Sequence, residues 1–158
     1  MTHQITKGLQ AFPSLPNNKI SMKIIICGSI SVSKEILKVK RELESLGYEV
    51  EIPEGVKKPE LARTKASISE KADVKIKFDL IRGYYQKMKN YDVVLVVNPG
   101  KNGVKGYIGG NTFLEMAFAH VLNKKLYCLY PVPNLSYTSE ILAMQPIILN
   151  GNLKNILA

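Results

Sequence analysis

Asp92-Val93-Val94-Leu95-Val96-Val97 is the run whose reading decides the fold. Its apolar residues are continuous and mostly β-branched. That composition favours a strand, and the lack of polar alternation predicts burial on both faces, as in the middle of a parallel sheet. A second run of the same kind, Lys23-Ile24-Ile25-Ile26-Cys27, lies upstream, and a third, Leu126 to Leu129, lies downstream. Tyr48 to Ile52 and Pro146 to Leu149 read as further strands, the latter at an edge.

Helical spacing fills the gaps between these runs. Ile36, Leu37, Val39, Leu43 and Leu46 fit one face of a helix that stops at Gly47. Asp73 to Asn90 reads as one helix weakened by Gly83, Thr112 to Leu122 as another, and Ser136 to Met144 as a short one. Pro53 to Ala72 is polar and lysine-rich, interrupted by Pro53, Gly55 and Pro59, and reads as a loop carrying at most a short helix. Strands alternating with helices require right-handed crossovers and a parallel sheet covered on both faces. The expected architecture is a single Rossmann-like α/β domain over 22–158, with a five-stranded parallel sheet in the flavodoxin-like order 2-1-3-4-5. Residues 1–21, which include His3, read as an extended leader.

Ligands of such sheets bind beyond the carboxyl ends of the strands, where the winding direction reverses. The loops after Cys27 and after Val97 are therefore the expected site. The first, Gly28-Ser29-Ile30-Ser31-Val32-Ser33-Lys34, brings small residues, hydroxyls and a lysine to a helix N-terminus, where free N–H groups favour an anion such as a phosphate. Gly28, Ser29, Ser31 and Ser33 are its candidate ligand residues; the alternative is that Ser31 or Ser33 caps the helix. The loop has neither the P-loop nor the dinucleotide-binding glycine pattern.

The second loop runs from Asn98 through Gly109, Gly110 and Asn111 into Thr112-Phe113-Leu114-Glu115. With Thr112 as N-cap, Glu115 falls at the third helical position, where the helix dipole lowers a carboxyl pKa. An ionised carboxylate in a cleft suits a nucleophile at a sugar carbon. The same Thr112-x-x-Glu115 spacing also fits a capping box, in which the glutamate only closes the helix end.

The net charge of +9, from 22 Lys+Arg against 13 Asp+Glu, favours anionic partners. Nucleic acid and small phosphorylated molecules both qualify, but the lysines are spread over helices and loops with no basic run of five, so most read as a solvated surface rather than a nucleic-acid face. The two cysteines, Cys27 and Cys128, each end an apolar run and read as buried and reduced. No apolar run approaches the roughly 20 residues needed to span a bilayer, and a cytoplasmic protein is expected. No His/Cys/Asp cluster has metal-ligand spacing, and no metal or organic cofactor is expected. Asp92 opens its strand away from the carboxyl end and is read as structural; His120 points to a different face of its helix from Glu115.

From Lys23 to about Asn150 the chain resembles the nucleoside 2-deoxyribosyltransferase superfamily, including its 2′-deoxynucleoside 5′-phosphate N-hydrolase branch. The matching pieces are the strand ending in Cys27-Gly28-Ser29, the Asp92-Val93-Val94 strand, and Gly110-x-x-x-x-Glu115-x-Ala117-x-Ala119 followed by Asn123-Lys124-Lys125 and a strand. The resemblance implies that Glu115 is the nucleophile at the anomeric carbon. It implies that the first-loop serines hold a 5′-phosphate, and that Ser139 is lent by the neighbouring subunit of a homodimer. Where the family carries an aspartate facing the base, this chain has Tyr84; Asp79, earlier on the same predicted helix, is the acid on offer. The expected activity is hydrolysis or transfer at a nucleoside or nucleotide N-glycosidic bond. The rival is a non-catalytic nucleotide-binding or regulatory module that uses the same cleft.

Overall fold

The computed structural model describes residues 21–61 and 65–156. The expected leader, His3 with it, lies outside the described residues apart from Ser21. Five strands, β1 (Lys23–Cys27), β2 (Glu49–Glu51), β3 (Val93–Val96), β6 (Lys125–Cys128) and β7 (Ile147–Ile148), form one parallel sheet in the order β2-β1-β3-β6-β7. Counted without the small hairpin β4 (Gly100–Lys101) and β5 (Val104–Lys105), this is the expected order. The pairing Ile24↔Val93 to Cys27↔Val96 puts the two most apolar runs side by side at the centre.

Strand alternation divides the core into two. Ile24, Ile26, Val93, Leu95 and Tyr127 face α1 (Ser33–Ser45), which contributes Ile36, Val39 and Leu43. Ile25, Cys27, Val94, Val96 and Cys128 face α4 (Leu80–Met88), α5 (Gly110–Val121) and α6 (Thr138–Ala143) through Tyr84, Met88, Met116, Ala119 and Ile141. Each fully buried Ile, Val or Leu side chain contributes about 1.5–3 kcal/mol, so both layers are held by the strands that the apolar runs form. Both cysteines are buried and free, as expected. Leu37 and Leu46, placed by periodicity on the buried face of α1, are instead exposed at 38% and 43%.

The segment before β3 differs from expectation. The predicted single helix over 73–90 is two helices, and the first, α3 (Ile68–Lys77), begins inside the expected loop. The cause of its start is local: Ser67 Oγ accepts from Glu70 N–H at 3.3 Å, and the Glu70 carboxylate accepts from Ser67 N–H at 2.7 Å, a full capping box. The break comes at Asp79, whose φ of 45° is left-handed and which an aspartate tolerates better than a bulky residue. The Pro53 end of the expected loop forms a single helical turn, α2 (Glu54–Lys57). Lys87 of α4 ties it down, reaching Glu51 at 2.9 Å and Glu54 at 2.5 Å.

Asp92 is structural as expected: its carboxylate accepts from Lys23 N–H at 2.9 Å. Among the described residues, no helix is long and apolar enough to cross a membrane.

Candidate active site

A cleft of about 790 Å³ opens above the carboxyl ends of β1 and β3, within the size range of small-molecule sites. Its lining is mixed in character. Ser29 and Ser31 supply hydroxyls, whereas Phe78, Ile81, Leu114, Tyr107 and Phe118 supply apolar and aromatic surface. Phe78, Ile81 and Leu114 are 51%, 47% and 42% exposed, although large apolar side chains on a helix are ordinarily turned inward.

Glu115 lines this cleft. It does so from a different helical position than its spacing suggests. The helix starts at Gly110 with Gly109 as N-cap, so Thr112 is already inside the first turn and buried at 4%, and Glu115 is in the second turn. The Thr112–Glu115 capping box is therefore absent, and the helix dipole, which fades beyond the first turn, has little hold on the carboxyl. Burial decides instead. Half-buried against the end of β1, Glu115 has its pKa pushed up to about 8, partly offset by the Cys27 thiol acting as a donor. The expected lowering is thus reversed in sign, because desolvation outweighs the dipole.

Cys27 and Tyr84 complete the pocket around this carboxyl. Burial raises the Cys27 thiol well above its ordinary value, and the neighbouring Glu115 adds to it. Burial likewise raises Tyr84, whose hydroxyl donates to the carbonyl of Ile26. Near neutral pH, Glu115 is the member of this trio that titrates. Among the described residues, no ion pair includes it. The other two carboxylates on the cleft wall do have cations: Glu54 has Lys87, which lowers its pKa, and Asp79 has Arg82 at 3.4 Å.

The remaining expected ligand residues divide. Gly28, Ser29, Ser31, Gly109, Gly110, Asn111 and Asp79 all line the cleft. Neither Ser31 nor Ser33 caps α1: its N-cap is Val32, without a side-chain bond, because the chain first makes a 3₁₀ turn over Ile30–Val32. Ser29 caps that turn, accepting from Ser31 N–H at 3.3 Å, and the two hydroxyls lie 2.8 Å apart. Ser33, Asn98 and Ser139 lie outside the cleft lining. Ser139 is exposed on α6 and its hydroxyl donates to Glu140 at 2.8 Å.

Asn98 has a different place from the expected one. It is 1% exposed, and its amide donates to the carbonyls of Gly106, Tyr130 and Pro131 while accepting from Tyr130 N–H at 3.0 Å. It clamps the loop after β3 to the loop after β6. Replacing Asn98 by Ala leaves these buried groups unpaired and is expected to cost about 2–3 kcal/mol, read as a lower urea midpoint with unchanged m-value.

Sequence reasoning missed the trio's other members and the lysines of the cleft wall, Lys71, Lys75 and Lys101. Two signals were available. Ser67-x-x-Glu70 announces α3, which carries Lys71 and Lys75, and Asn102-Gly103 is the turn dipeptide that makes the β4–β5 hairpin and presents Lys101. Comparison of the chain with protein-family models, curated proteins and solved structures finds no match.

Proposed function

We propose that the protein cleaves or exchanges an N-glycosidic bond of a nucleoside or nucleotide, with Glu115 as the nucleophile. The observation that carries this reading is Glu115 itself: a carboxyl without an ion pair among the described residues, in a cleft whose lining includes both serine hydroxyls and aromatic rings. Hydroxyls suit a sugar, and aromatic rings suit a base.

In the first half-reaction a Glu115 oxygen bonds to the anomeric carbon, the bond from that carbon to the base nitrogen breaks, and its electron pair leaves on the base, which takes a proton from solvent. In the second, water or the ring nitrogen of another base attacks the same carbon, gives up its proton to solvent, and releases the Glu115 carboxylate. The two displacements give net retention. Burial leaves the carboxylate poorly stabilised in the free protein, so its charge gains most when positive charge develops on the sugar. Asp79, on the rim of the same cleft, is the proposed partner for the leaving base.

The test follows free base by chromatography from a panel of nucleosides and nucleotides, comparing wild type with Glu115→Gln. Release from wild type and not from the variant is expected. Ligand-induced stabilisation without any release would instead favour the binding-module reading. Ser139, exposed and outside its own cleft lining, is proposed to serve the cleft of a second copy. If so, mixing inactive Glu115→Gln chains with Ser139→Ala chains restores activity, and no recovery would remove that role.

A further inference from the structure

The charges around the cleft do not balance. Its acidic members are accounted for: Lys87 holds Glu54, Arg82 pairs with Asp79, and Glu115 is largely protonated at neutral pH. Its basic members Lys71, Lys75 and Lys101 make no ion pair among the described residues.

These lysines come from two separate elements. Lys71 and Lys75 lie four residues apart on α3, hence on one helical face about 5–6 Å apart at Cβ. Lys101 comes from the hairpin, with its ammonium 5.7 Å from the centre of the Tyr107 ring. Lys75 is also anchored: its Nζ donates to Asn111 Oδ1 at 2.9 Å. Asn111 precedes Glu115 by one helical turn on α5, so both lie on the same face of that helix.

We infer that Lys71, Lys75 and Lys101 form a subsite for a pyrophosphate group, so that the ligand of this cleft is a nucleoside 5′-diphosphate or a longer phosphate ester rather than a nucleoside or monophosphate. Three ammonium groups exceed the charge of one phosphate monoester, about −1.5 to −2, and approach that of a terminal diphosphate. Two ammonium groups one turn apart can share one phosphate's oxygens, but three ammonium groups from two elements are engaged more fully by two adjacent phosphates than by one. Salt screens such exposed charges, so the preference is steepest at low ionic strength.

The nucleoside part of this inference rests on the function proposed above; the pyrophosphate part does not. The test titrates the full chain with inorganic phosphate, inorganic pyrophosphate, and one nucleoside with its 5′-mono- and 5′-diphosphate. Binding is read by calorimetry, and base release is measured in parallel. Affinity is expected to rise about tenfold or more from mono- to diphosphate and from phosphate to pyrophosphate. The increment should weaken with salt and be lost in a Lys71→Gln, Lys75→Gln, Lys101→Gln triple variant. Because two of the three side chains are exposed and the third is half-buried, the variant is expected to keep its melting temperature within a few degrees, which the same samples report. Equal affinity for mono- and diphosphate, or an increment that survives the triple substitution, overturns the subsite. A lysine-dependent increment without base release upholds the subsite and removes the glycosidic reading. Equal release from nucleoside and diphosphate with no increment does the reverse.

Discussion

Glu115→Gln is expected to lower base release by about 10³-fold or more, because the amide presents the same shape to the sugar without the attacking oxygen charge. The wild-type pH profile carries a second signature. The ionised carboxylate reacts, and its pKa in the free protein is pushed up to about 8, so kcat/KM should climb with pH and level off near that value. A plateau already reached at about pH 5, where an ordinary carboxyl is ionised, would remove Glu115 from the reaction.

The same substitution reports on stability, in the opposite pH direction. Glu115 binds its proton more tightly folded than unfolded, so between its ordinary pKa of 4.5 and about 8 the native state holds the extra proton. Stability is then greatest below that window and declines as pH rises through it. Glutamine carries no such proton. The variant should match wild type near pH 5 and exceed it at pH 9 by a few kcal/mol, measured as urea midpoints across pH. A constant difference between the two would mean that the carboxyl is not desolvated as the structure has it.

Gly106→Ala is expected to be the most damaging single substitution in the loop that carries the hairpin, at more than about 3 kcal/mol. Gly106 has a φ of +66°, which disfavours any side chain, and an added Cβ would lie 2.1 Å from the carbonyl oxygen of Pro131. That oxygen belongs to main chain held by Asn98, so it has no low-cost way to retreat. The expected result is a collapsed melting temperature together with weaker ligand binding, since Tyr107, Gly109 and Lys101 all hang from this loop. An alanine variant with wild-type stability would show that the two loops are not clamped together.

Much of the site was legible along the chain because topology alone locates it. Once β1 and β3 are known to be adjacent and parallel, the segments after Cys27 and Val97 must meet at one end of the sheet, and Ser29, Ser31, Gly109 and Glu115 meet there. The electrostatics were not legible. Whether Thr112 or Gly109 starts α5 is a matter of a few residues, which propensity does not resolve, yet it moves Glu115 from the helix end to its second turn. Nor does spacing reveal that Cys27 and Tyr84, far apart in sequence, lie against that carboxyl and help to desolvate it.

What the sequence determined by itself was the sheet, its order and the edge at which the cleft opens, since apolar runs too continuous for a surface have only the interior to occupy. The tertiary structure alone decided the protonation of Glu115, the commitment of Asn98 to main chain, and the gathering of Lys71, Lys75 and Lys101. Desolvation, buried hydrogen bonding and charge summation all depend on neighbours in space, and those neighbours come from separate elements of the chain.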